Sequence, residues 1–186
     1  SELGTFRKLD SRLQGHPTTH EGLPGVRIAS GSLGQGLSVA IGAALAKKIN
    51  GDHSLVYALL GDGELQEGQN WEAFMFAAHY KLDNLCAILD YNKLQITAPN
   101  ADVMGLEPLD KKLEAFGWAV RHVDGNDVEA LVNTFDALPF ESGKPSFIIA
   151  HTTKGKGVSY MENVLKWHHG VPTAEQYELA LSEIDG

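Results

Sequence analysis

Asp62 and Asn92 stand 30 positions apart, each just beyond a continuous apolar run. Residues 55–60 lead into Gly61-Asp62-Gly63, and residues 85–89 lead into Asp90-Tyr91-Asn92. Runs of this kind suit strands of a parallel sheet covered on both faces. Neighbouring strands lie about 4.8 Å apart, so loops leaving two of them can bring a carboxylate and an amide oxygen to one cation. With a backbone carbonyl added, that donor set suits hard Mg²⁺, with Ca²⁺ as a substitute. Gly63 leaves its N–H open to a phosphate oxygen. A helix beginning near Glu67 would add its own N-terminal N–H groups and dipole. Asp-Gly alone is an ordinary turn, and Asn often ends a strand. The paired spacing behind two apolar runs is what points to a metal–phosphate site.

The elements that must hold these loops are also legible. Leu37, Ala40, Ile41, Ala44 and Leu45 recur at helical spacing, and Asn50-Gly51-Asp52 ends that pattern. Trp71, Phe74, Met75 and Ala78 mark a second helix, between the two strands. Residues 110–116 read as a short helix and 119–123 as a strand. Asp127 is placed to cap a helix carrying Val128, Leu131, Val132 and Phe135. Residues 147–150 give a fourth strand, and Thr173 with Gln176 has capping-box spacing before a last helix. Strands alternating with helices imply an α/β fold: a doubly wound, mostly parallel sheet with helices on both faces, one domain over residues 1–186. In such a sheet the ligand sits beyond the carboxyl ends of the strands. Here those ends carry Gly61-Asp62-Gly63, Asn92, Asp124-Gly125 and the loop 151–157.

Composition narrows the function classes. The 186 residues carry 15 Lys+Arg against 24 Asp+Glu, a formal net charge of −9. A nucleic-acid binder would normally show a basic face. No apolar run reaches the roughly 20 residues needed to span a bilayer. A single cysteine, Cys86, excludes an internal disulfide and fits a reducing compartment such as the cytoplasm. Cys86 reads as an inert core thiol. Residues 1–17 hold no apolar core of the signal-peptide kind. Leu3, Phe6, Leu9 and Leu13 form a short amphipathic piece instead, and the segment reads as the continuation of something longer.

The segment LLGDGELQEGQNWEAFMFAAHYKLDNLCAILDYNKL, with GHP at 15–17, GSLGQGL at 31–37, Lys154-Gly155-Lys156-Gly157 and Trp167-His168, resembles transketolases in the same order along nearly the whole chain. It is most similar to their N-terminal, thiamine diphosphate-binding half, including the split two-subunit kind. The resemblance implies that Asp62 and Asn92 bind Mg²⁺ through side chains and Leu94 through its carbonyl. It implies that Gly63 meets the diphosphate through its N–H. Gly31 and Leu33 would contact the cofactor, Ile96 would lie near its rings, and Lys154 would order the diphosphate region. His16 would hydrogen-bond the substrate, and Glu67 would link paired active sites across a two-fold interface. Anchoring on Trp167 makes His168 the second site histidine, whereas anchoring on Gly170 makes it His169. The tryptophan is the more informative anchor and selects His168.

The implied activity is transfer of a two-carbon ketol unit from a ketose (phosphate) to an aldose (phosphate). Nothing in the chain resembles the pyrimidine-binding domain that supplies a carboxylate to the cofactor's aminopyrimidine ring. The resemblance therefore implies a C-terminal partner subunit, a two-fold assembly and no turnover by this chain alone. Gly61-Asp62-Gly63 and Asn92 are shared with the alpha chains of 2-oxo acid dehydrogenases; GHP, GSLGQG and Trp-His favour transketolase. A cofactor-binding assembly subunit without turnover is the reading outside the enzyme class. His20, His53 and His122 read as solvated, His79 as helical, and His151 sits at the ligand edge of a strand. Arg7, Arg12, Arg27 and Arg121 form no evident sugar-phosphate clamp.

Overall fold

The computed structural model describes residues 2–185. Among the described residues six α-helices and four strands follow one another, alternating except where two helices stand in succession between the second and third strands. They are α1 (Gln35–Ile49), β1 (Val56–Gly61), α2 (Gly68–His79), β2 (Leu85–Tyr91), α3 (Asn100–Val103), α4 (Leu109–Ala115), β3 (Ala119–Asp124), α5 (Val128–Asp136), β4 (Ser146–His151) and α6 (Ala174–Ile184). The sheet is parallel throughout, in the order β1-β2-β4-β3. Gly61 pairs with Asp90, Tyr91 with His151, and Asp124 with His151, so all four carboxyl ends reach one edge.

Local chemistry explains the boundaries. Gly34 precedes α1 at φ 83°, a left-handed conformation that costs glycine least. A Cβ there would lie 2.8 Å from both Glu67 Cβ and Gln69 Nε2, so the backbone needs the space as well. Leu37, Ile41 and Ala44 then bury one stripe of α1. Asp127 caps α5 by accepting from Ala130 N at 3.0 Å, and Thr173 with Gln176 forms a full capping box on α6. Each cap satisfies N–H groups that the first helical turn leaves unpaired.

The larger core lies on the face covered by α1, α2 and α4. Phe74 is its hub, with ring centroids 5.4 Å from Trp118, 5.6 Å from Trp71 and 5.7 Å from Phe147. Trp118 Nε1 donates to Phe74 O at 3.0 Å, which satisfies its one buried polar atom. Phe74→Ala is expected to cost about 3–5 kcal/mol by urea denaturation, because it removes a ring that its rigid neighbours cannot replace. A loss in the surface range of about 0.5 kcal/mol would contradict that placement. The opposite face carries Cys86, Val123, Ile148 and Ala150 under Ala130, Leu131 and Phe135 of α5.

Two expectations are corrected. The apolar run 55–60 reads as a central strand covered on both faces, but β1 is an edge strand. Ala58 and Leu60 are buried against α1, whereas Tyr57 is 51% and Leu59 74% exposed on the other face. Among the described residues α5 is the helix on that face; it reaches Tyr57 through Phe135 (ring centroids 6.0 Å apart) and leaves Leu59 open. The amphipathic pattern at Leu3, Phe6 and Leu9 makes no buried helical face. Glu2–Thr5 is one 3-10 turn, Arg7 and Asp10 take left-handed φ values of 58° and 62°, and all three apolar side chains are exposed. Leu13, the fourth residue of the pattern, is half-buried.

Candidate metal and diphosphate site

Beyond the carboxyl ends of β1 and β2 the two predicted loops meet. Asp62 is buried; its Oδ1 accepts from Gly63 N at 2.8 Å and its Oδ2 accepts from Lys93 N. Asn92 Oδ1 accepts from Leu94 N at 3.0 Å. Asp62, Gly63, Asn92 and Leu94 line one cavity of about 460 Å³. Ile96 lines the same cavity from the Leu94 loop, and Leu33, Lys154 and His168 line it from three further segments. Leu33 and Ile96 are 57% and 59% exposed, apolar surface presented outward rather than packed.

The loops are held from behind. After Asp62 the chain makes a 3-10 turn, Gly63–Gln66, pinned by the first turn of α2. Asn70 Nδ2 donates to Glu64 O at 2.7 Å, and Trp71 Nε1 donates to Leu65 O at 2.9 Å. The Glu64 carboxylate accepts from Gly34 N at 2.7 Å and Gly61 N at 3.0 Å, tying the GSLGQG loop to the Asp62 loop. No spacing in the sequence marks Glu64, because its two partners are backbone groups, one of them 30 residues away. On the β2 side, residues 93–100 form a small loop closed by the Leu94–Pro99 bridge, Gln95 N to Ala98 O at 3.1 Å and Asn100 N to Lys93 O at 2.9 Å. A Cβ on Gly63 would lie 3.2 Å from Gln95 Cβ, so a side chain there would press on this loop. Lys154 is set by Asn163 N donating to its carbonyl at 2.9 Å. The next residue, Gly155 (φ 74°), could not carry a Cβ without meeting Met161 at 2.7 Å.

Burial pushes the Asp62 carboxyl above the usual carboxylate range. The N–H groups of Lys93 and Gly63 oppose that rise, as does the Asn100 amide, which lies nearby but outside hydrogen-bond geometry, and the charge on Asp90 adds to it. A negative charge is thus held where water solvates it poorly, which favours a cation. Burial, with the charges of Lys154 and His169, holds the His168 imidazole below its ordinary value. A lowered histidine is neutral at pH 7 and charges only in more acidic solution. An NMR titration is expected to place His168 below the ordinary histidine value of about 6.5; a midpoint above that value would contradict the described surroundings.

Not every predicted residue lines the cavity. His16 packs on Gly31, where a Cβ would lie 3.2 Å from the imidazole Cγ; these two residues touch beside the cavity and outside its lining, although Leu33 of the same GSLGQG loop lines it. Glu67 precedes α2, makes no side-chain cap and is exposed, also outside the lining. His122 is exposed as expected, but its Nδ1 lies 2.9 Å from His151 Nε2 across the β3–β4 ends. Cys86 is buried, and burial pushes its thiol up to about 12, which makes it unreactive. Among the described residues no helix is long and apolar enough to cross a membrane.

The residues present fit a hard divalent cation carrying an anionic ligand. Each oxygen of Asp62 spends one acceptor position on a backbone N–H and keeps another, and Asn92 Oδ1 does the same. Carboxylate, amide and carbonyl oxygens are the donors such ions take. Beside them the buried side chain of Asn100 has neither polar atom hydrogen-bonded among the described residues. Lys154 adds positive charge for an anion at the same cavity.

Residues 1–182 match the family model described as transketolase, thiamine diphosphate binding domain. The chain is 49% identical over 182 residues to one of the named subunits of the apulose-4-phosphate transketolase of Actinobacillus succinogenes, covering 98% of this chain and 65% of that protein. It is 42% identical over 161 residues to the 6-deoxy-6-sulfo-D-fructose transketolase subunit SqwG of a Clostridium species, covering 87% of this chain and 58% of that one. The chain thus spans less than two thirds of the length of these relatives. A crystal structure of transketolase from Campylobacter jejuni superposes with a TM-score of 0.90 at 35% identity, covering 99% of this chain and 30% of that one.

Proposed function

Since the chain belongs to the family of transketolase thiamine diphosphate-binding domains, we propose that it is the diphosphate-binding subunit of a Mg²⁺-dependent, split transketolase. The observation that carries this is the meeting of Asp62, Asn92 and Leu94 around one cavity with Gly63 and Lys154 beside them. Asp62 and Asn92 hold Mg²⁺ by side chains and Leu94 by its carbonyl. Gly63 N–H and Lys154 receive the diphosphate. Leu33 and Ile96 give the cofactor an apolar seat, and Gly31 shapes the loop below it. When bound, thiamine diphosphate supplies a thiazolium carbon able to attack a ketose carbonyl and to stabilise the charge that develops. His168, neutral at pH 7, holds or passes a proton near the diphosphate and substrate; His16 hydrogen-bonds the substrate from the GHP loop.

The rest of the catalytic unit comes from elsewhere. A partner subunit carrying the pyrimidine domain supplies the carboxylate for the aminopyrimidine ring. Glu67, exposed at the start of α2, links two sites in a two-fold assembly. An open groove between α1 and α2, lined by Ile41, Leu45, Ala73 and Phe76, supports that assembly. The substrates are a ketose donor and an aldose acceptor carrying anionic groups, and the enzyme works in the cytoplasm. The names of two relatives support this class, since a sugar phosphate and a sulfonated sugar both bear an anion. Assay of the assembled complex decides between reaction types. Transfer of a two-carbon unit between sugars is expected; decarboxylation of a 2-oxo acid without ketol transfer would replace the proposal.

A further inference from the structure

Asn100 is 5% exposed, and neither its Nδ2 nor its Oδ1 has a hydrogen-bond partner among the described residues. Leaving buried polar atoms unpaired costs stability, so such a group calls for an explanation in a missing ion or an interaction completed on binding. Its position supplies one. Asn100 closes the loop 93–100, its backbone N donating to Lys93 O at 2.9 Å. Lys93 N in turn donates to Asp62 Oδ2. Asn100 Oδ1 comes within 3.9 Å of the point where a Cβ on Gly63 would stand, which puts the side chain next to the Asp62-Gly63 peptide. The same loop carries Leu94 and Ile96, both lining the cavity. One end of the loop thus already grips Asp62 through the backbone, and the other end brings the Asn100 amide close enough to favour the charged carboxylate without yet completing a hydrogen bond to it.

We infer that Asn100 is a positioning residue, its side-chain amide donating to the buried side of the Asp62 carboxylate when a divalent cation draws on the open side. That hydrogen bond fixes the carboxylate's rotation and locks the loop bearing Leu94 and Ile96 against it. Asn100 touches neither cation nor substrate; it acts through Asp62. The inference rests on the metal–diphosphate reading of the cavity.

The test measures Mn²⁺ affinity of the full chain by electron paramagnetic resonance, with thiamine diphosphate present, alongside circular dichroism for folding. Asp62→Asn serves as the control for the site itself. Asn100→Ala and Asn100→Asp are expected to weaken Mn²⁺ binding about tenfold or more, the loss typical of a hydrogen bond to a charged group. Asn100→Ser keeps a short donor and is expected to recover most of it, which a packing role would not produce. A folded Ala or Asp variant binding like the parent overturns the inference while leaving the site intact. So does a Ser variant as weak as Asp, or unfolding of all three. Failure of the parent chain to bind, or no loss in Asp62→Asn, overturns the site reading and the inference together.

Discussion

Asp62→Ala is expected to abolish Mg²⁺-dependent retention of thiamine diphosphate while leaving the fold intact. Altering groups that merely support metal ligands typically costs about 10–100-fold in affinity, so loss of the central carboxylate should exceed about 100-fold. The fold should survive because both bonds made by this carboxylate, from Gly63 N and Lys93 N, lie at the cavity rather than in the hydrophobic core. The burial that pushes this carboxyl up makes an uncompensated charge there unfavourable, so its removal without the cation carries little penalty. Titration calorimetry with and without Mg²⁺ reads the first part, and thermal unfolding the second. Asp62→Asn keeps the shape and one oxygen, and should fall between the parent and alanine. Cofactor affinity unchanged by Asp62→Ala would refute the assigned ion site.

The second large effect is partner dependence. The purified chain is expected to show no measurable ketol transfer, and addition of a pyrimidine-domain subunit should raise it by about 10³-fold or more, the scale of a missing acid–base and electrostatic contribution. The physical reason lies in what the cavity presents. Its apolar members Leu33 and Ile96 stand more than half exposed, so the chain covers only one side of a bound ring system. The three carboxylates that line the cavity are already engaged: Asp62 faces the proposed cation position, Glu64 accepts from two backbone N–H groups, and Asp90 accepts from Thr152 Oγ1. None is free to serve a distant ring. Steady-state assays of the chain, the partner and their mixture provide the check. Turnover by the chain alone would mean that it contains a complete site.

The parts of this molecule legible in its sequence are those governed by local rules. The order of the four strands and of the longer helices followed from apolar runs and helical spacing, whereas the four-residue α3 carries no such pattern. Asp127 and the Thr173–Gln176 pair cap helices because capping is decided within about four residues. Asp62 and Asn92 were readable as a pair because parallel neighbouring strands bring their loops together, here with Gly61 opposite Asp90. What escaped the sequence depends on distant geometry. An apolar run does not report whether a strand is flanked on both sides, and β1 at the sheet edge exposes Tyr57 and Leu59. Glu64 and Asn100 act on backbone and carboxylate groups brought near by folding, so no spacing announces them. The GHP histidine is legible from its motif, yet its packing on Gly31 beside the cavity depends on how the two loops fold together.

Whether one cation is shared by the loops after β1 and β2 is decided by a crystal structure of the chain grown with Mn²⁺ and thiamine diphosphate. Anomalous scattering at the manganese edge then locates the ion without assumption. A single strong peak at bonding distance from Asp62, Asn92 and the Leu94 carbonyl, with phosphate oxygens completing its coordination, is the expected result. A peak elsewhere, or a diphosphate bound with no ion between these loops, would overturn the shared site.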